Sequence, residues 1–107
     1  MELTLHKPGD HHFIRSFDAR GVTVTDTLYR ASLVLSADQL VSDWPVRSVA
    51  ELSEEHLEAV LELEPEVVLL GTGRKQAFPA PRLLRAFFER GIGFEAMTTE
   101  AACRTFN

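Results

Sequence analysis

Residues 67–97 constrain this chain more than any other stretch, because they read in succession as strand, glycine turn, helix and strand. Val67-Val68-Leu69-Leu70 is an unbroken apolar run rich in β-branched residues, the pattern of a strand buried on both faces in a parallel sheet. Pro65 stops whatever helix precedes it. Gly71 and Gly73 open a turn, and Pro81 suits the first turn of a helix, where one N–H has no partner in any case. Leu83, Leu84, Phe87 and Phe88 then form an apolar stripe, with Arg82, Arg85, Glu89 and Arg90 on the wet side. Gly91 ends that helix, and residues 93–97 return as a strand.

A strand–helix–strand connection of this length joins parallel strands by a right-handed crossover. The fold class expected is therefore α/β, with a parallel core over 67–97 inside a mixed sheet. Parallel strands end on the same edge, so Gly71, Thr72, Gly73 and Arg74 are expected beside Thr98 and Thr99. Open α/β sheets bind ligands at such an edge.

The rest of the chain fits one domain over residues 1–107. Its 107 residues and 45% apolar content suffice for a core without staples. A net charge of −5 argues against nucleic acid or an anionic membrane surface as partner. The apolar runs are too short to span a bilayer. The first residues show neither a secretory signal nor an arginine-rich transit peptide, so a cytoplasmic location is expected. Cys103 is the lone cysteine, which fits a reducing compartment.

In chain order, Phe13–Phe17, Val22–Thr25 and Leu28–Leu35 predict an N-terminal antiparallel meander over about 12–35, with turns at Asp18–Gly21 and Asp26-Thr27. Ser36–Leu40 reads as a helical turn, and Val46–Leu52 as a further strand of the main sheet. The α/β part covers about 46–107, with helices near 53–63, 81–90 and 99–106. Ser53 is a good cap for the first, followed by Glu54 and Glu55 at its positive end. His56 reads as a surface residue among acids, and Phe87, Phe88, Phe94 and Phe106 as core by spacing. Nothing in the sequence stops the last helix before Asn107.

Three segments together carry a resemblance: Pro65–Gly73, Gly91–Thr99 and Ala101–Asn107. They resemble the small domain family that includes the mitochondrial complex I assembly factor 3 and the adipogenesis-associated domain protein. Tyr29 and Ser32–Leu35 fit that family's β-rich first half. The resemblance implies an α/β domain with an accessory hairpin layer, no established enzyme activity, no cofactor, and a role exercised through protein contacts. Family members continue for a further helical turn and a strand beyond the Arg104–Asn107 segment, so it also implies a natural chain extending past Asn107.

Each candidate site also admits a plainer role. Gly71-Thr72-Gly73-Arg74-Lys75 offers glycine-rich N–H groups and two cations to an anion, but lacks the Walker lysine-serine pair and the dinucleotide fingerprint; the alternative is a plain turn. Thr98, Thr99 and Arg104 flank it, with Arg104 able to turn toward the glycine loop. Cys103 lies past the first helical turn, and no base is placed to activate it, so a small buried cysteine is the favoured role. Asp10, His11 and His12, with His6 nearby, lack metal-ligand spacing and read as a solvated turn, so no metal is expected. Trp44, ahead of Pro45, is either an exposed anchor for a partner or a cap on one end of the core.

The leading function is a non-catalytic protein–protein interaction or complex-assembly module with a protein partner. The runner-up is a binder of small anionic ligands, or a minor enzyme, at the Gly71–Arg74 and Thr98–Arg104 edge. A homo-oligomer is compatible with both.

Overall fold

The computed structural model of the protein describes residues 11–107. The meander forms as its alternation predicts: β1 (Ile14–Asp18), β2 (Gly21–Val24) and β3 (Thr27–Tyr29) pair antiparallel in the order β1-β2-β3. Asp18 shapes the first turn by accepting the Arg20 N–H at 2.9 Å. Gly21 follows with φ +143°, and any Cβ there would collide with the Tyr29 carbonyl oxygen.

Leu28–Leu35 does not run as one strand. It breaks after Tyr29 and resumes as β4 (Val34–Leu35), paired antiparallel with β5 (Leu40–Val41). Ser32 makes the break: its hydroxyl donates to the Val46 carbonyl, and its own carbonyl accepts the Trp44 N–H. The helical turn expected at Ser36–Leu40 is the tight end of this hairpin, where the Ser36 N–H donates to Gln39 O at 2.9 Å and the Gln39 N–H donates to Ser36 Oγ at 3.0 Å. The strand expected at Val46–Leu52 is a short 3-10 turn, Val49–Glu51. The Glu51 carboxylate reaches back to the Arg47 N–H at 2.9 Å, curling the segment on itself.

Helix α1 (Glu54–Leu61) starts at Ser53 and is followed by Glu64 in the left-handed region (φ 50°), just before Pro65. Then β6 (Val67–Gly71), α2 (Pro81–Glu89) and β7 (Gly93–Met97) form the expected unit. β6 and β7 are parallel, in register from Val67↔Gly93 to Gly71↔Met97. Parallel and antiparallel pairing thus both occur, but hydrogen bonds divide the strands among three small sheets instead of one continuous mixed sheet. Helix α3 (Thr99–Phe106) closes the order. It holds its form to the end, because the Asn107 side chain accepts the Ile14 N–H at 2.8 Å and donates to the Ile14 carbonyl at 2.7 Å.

The core gathers Val46, Leu52, Leu57, Val60, Leu83, Phe87 and Ile92. Phe87 is 0% exposed and packs its ring 5.2 Å from that of Phe94. Two burial expectations fail. Val67 is 58% exposed, because β6 has a strand neighbour on one side only among the described residues. Phe88 is 63% exposed, because the stripe on α2 is wider than the face that meets the core, so that Leu83 and Phe87 are buried and Phe88 stands outside.

Candidate functional site

The exits of β6 and β7 meet, as two parallel strands require. The Thr72 N–H donates to Met97 O at 2.8 Å, and the Thr99 N–H donates to Gly73 O at 2.9 Å. In return the Gly73 N–H donates to Thr99 Oγ1 at 2.8 Å. The Thr72 hydroxyl lies 2.8 Å from Lys75 O and 3.1 Å from Met97 O, and accepts the Ala77 N–H at 3.2 Å. Thr98 caps α3 by accepting the Ala101 N–H at 3.2 Å. A Cβ on Gly71 would lie 3.1 Å from both Cα and Oγ1 of Thr99, so glycine is what lets α3 approach β6 this closely.

Gly71, Thr72, Gly73, Thr98 and Thr99 are therefore brought together, while Arg74 stays exposed on the loop. The N–H groups of Thr72, Gly73 and Ala77 all have partners within the chain, which leaves fewer donors to cradle an anion than the glycine spacing suggests. Arg104 does not turn toward the loop. It pairs with Glu100 one helical turn away, at 2.9 Å, and both side chains are exposed.

The other candidates make contacts within the fold. Trp44 is half-buried against the core and donates its indole N–H to His56 O at 3.1 Å, the geometry of a core cap. His56 is no bystander on an acidic face. Its Nδ1 accepts the Ser53 N–H at 3.2 Å at the start of α1, and its ring stands edge-on to Trp44. Cys103 is buried; desolvation, and secondarily the Glu100 carboxylate, push its thiol above the ordinary value. His6 and Asp10 lie outside the described residues; His12 bonds Ser36 O through Nδ1 at 2.9 Å. Among the described residues no cluster of histidines, cysteines and carboxylates has the grouping of a metal site.

A second feature lies on the other side of β7. A half-open groove of about 300 Å³ runs between that strand and the segment leading into α2. Phe78, Pro79, Leu84 and Phe94 give it an apolar wall, and Gln76, Glu95 and Ala96 line its polar side. Gln76 donates its side-chain amide to Ala96 O at 2.9 Å. Phe78 is 73% exposed there. Sequence reasoning passed over this groove, because it assigned no element to residues 76–80. The available signal was Phe78 itself, a large apolar side chain outside every periodic pattern and so without a core position to fill.

Comparison with known proteins places these features in context. A family profile described as a protein of unknown function (DUF498/DUF598) matches residues 14–107. The NADH dehydrogenase [ubiquinone] 1 alpha subcomplex assembly factor 3 of Mus musculus is 37% identical over 97 residues, covering 89% of this chain and 52% of the mouse protein. The 13 kDa major membrane protein of Francisella tularensis is 30% identical over 80 residues, covering 74% of this chain and 65% of that protein. The chain thus spans about half the length of the assembly factor and less than two thirds of the Francisella protein. An NMR structure of a Xanthomonas campestris protein superposes with a TM-score of 0.81 at 44% identity, covering 100% of this chain and 81% of that one.

Proposed function

Because this chain belongs to the DUF498/DUF598 family of proteins of unknown function, we propose that it works as a non-catalytic contact module in the assembly of a multisubunit complex. The observation that carries this reading is exposed aromatic surface beside the edge of β7 that, among the described residues, pairs with no other strand. Phe78 stands in the groove beside β7, and Phe88 stands one helical turn beyond Leu84 on α2. Exposed aromatics beside a groove are the form that protein contact sites take. The name of the mouse relative supports assembly as the setting, and points to an NADH dehydrogenase as the complex to test.

The Gly71–Arg74 rim supports the same reading by its chemistry. Its backbone donors serve the junction of β6, β7 and α3, and its hydroxyls serve the same junction. No nucleophile–base pair lies there among the described residues. No helix among the described residues is long and apolar enough to cross a membrane. The proposed site of action is cytoplasmic, on subunits of a complex before or during their assembly.

The test is deletion of the gene from its native cells, followed by native-gel separation of respiratory complexes. The expected result is loss of fully assembled NADH dehydrogenase, with smaller subassemblies accumulating. Unchanged levels of the assembled complex would overturn the reading.

A further inference from the structure

We infer that the outer edge of β7, with the groove beside it, receives an extended segment of a partner protein as an added strand, and that this segment alternates apolar and basic residues. The inference rests on the contact-module reading above and names the surface and partner chemistry that it would use.

The backbone directions follow from the register. In a parallel ladder the N–H and C=O of one residue point the same way, and successive residues point to opposite sides. The Gly93 N–H donates to Glu66 O, and Met97 O accepts the Thr72 N–H, so residues 93, 95 and 97 face β6. Phe94 and Ala96 therefore turn their N–H and C=O groups outward. Gln76 corroborates this, since its amide reaches Ala96 O from the outside at 2.9 Å. A side-chain amide thus already occupies the place that a neighbouring strand's N–H would take. The Phe94 N–H, Phe94 O and Ala96 N–H have no partner on another element among the described residues. β7 carries no proline or bulge to blunt this edge.

Side chains define the occupant. The apolar wall of Phe78, Leu84 and Phe94 suits the apolar side chains of an extended segment, which project on one face at every second position. The sole charged group lining the groove is Glu95, exposed and without an ion pair among the described residues. A lysine or arginine opposite it complements that carboxylate. The same carboxylate disfavours a second copy of this chain. Two-fold pairing of β7 with itself brings Glu95 toward its own counterpart, in a chain whose net charge is already −5.

The probe is a capped seven-residue peptide of alternating valine and lysine, titrated into the full ¹⁵N-labelled chain. Two control peptides replace lysine by glutamate, or methylate the alternate backbone nitrogens that would face β7. The expected result is movement of the Phe94 and Ala96 amide signals with the lysine peptide and none with the glutamate peptide. Methylation weakens binding by about fivefold for each main-chain bond removed. Glu95→Lys reverses the peptide preference, and Gln76→Ala tightens binding by freeing Ala96 O. Ala96→Pro abolishes binding; should that variant fail to melt cooperatively, Glu95→Lys alone decides.

The inference is overturned if the lysine peptide leaves Phe94 and Ala96 unmoved, or if both peptides bind alike. It is also overturned if the unliganded chain self-associates through β7. These failures leave the deletion phenotype intact and so fall on the edge alone. Normal complex levels after deletion, with the peptide still bound, fall instead on the contact-module reading.

Discussion

Gly73 and Thr99 hold each other by reciprocal hydrogen bonds, the Thr99 N–H to Gly73 O at 2.9 Å and the Gly73 N–H to Thr99 Oγ1 at 2.8 Å. This pair ties the loop after β6 to the first residue of α3. Thr99→Val keeps the shape and removes the acceptor, leaving the Gly73 N–H to water. The expected loss is about 1 kcal/mol in urea unfolding. The structural role assigned to the rim adds a second expectation: millimolar inorganic phosphate leaves the Gly71 and Gly73 amide signals where they are.

Gly71→Ala acts on the same junction through volume. The new methyl meets Thr99 Cα and Oγ1 at 3.1 Å, and the first of these is backbone, so α3 must move. A destabilisation of about 1–3 kcal/mol is expected. Amide shifts should spread along α3 as far as Asn107, with Ile14 responding through its bonds to the Asn107 side chain.

Neighbouring phenylalanines on α2 should differ sharply. Phe87 is wholly buried against Phe94, and Phe87→Ala should cost about 3–5 kcal/mol. Phe88 is mostly exposed, and Phe88→Ser should change stability by no more than about 0.5 kcal/mol. Thermal unfolding of the two variants side by side checks the contrast.

That contrast shows how far the sequence was legible. Periodicity identified α2 and both of its parallel neighbours, because a strand–helix–strand unit is encoded in residues close in sequence. It also indicated which strand exits would meet, since parallel pairing follows from connection length. It did not reveal how much of the stripe would find a core, because that depends on what the remaining elements cover. Val67 and Phe88 were overestimated for this reason. The strand expected at Val46–Leu52 failed through a local bond, the Glu51 carboxylate on the Arg47 N–H, that apolar patterning does not register. Arg104 found a nearer partner in Glu100 than the loop could offer. The groove beside β7 needs the 76–80 segment to lie against a strand almost twenty residues later, and no local pattern encodes that.

Cys103 gives a pH signature. Burial, followed by the Glu100 carboxylate, holds its thiol above the ordinary value of 9.0. The folded state therefore keeps the proton longer than the unfolded state does. The associated stability is fully present below the unfolded value and is lost as pH rises through the folded one. Alkylation by iodoacetamide should be slow on the native chain near neutral pH and fast in denaturant. Glu100→Gln should shift the native reaction profile to lower pH, since it removes the smaller of the two causes.

The central claim is that the chain acts through the β7 edge, with the glycine rim serving as scaffold. The most direct measurement returns three chains to cells lacking the gene: the natural one, Arg74→Ala and Ala96→Pro, each checked for cooperative melting. Assembled NADH dehydrogenase is then quantified on native gels. The account predicts recovery with the natural chain and with Arg74→Ala, and no recovery with a folded Ala96→Pro chain. Recovery with Ala96→Pro, or its loss with Arg74→Ala, would contradict it.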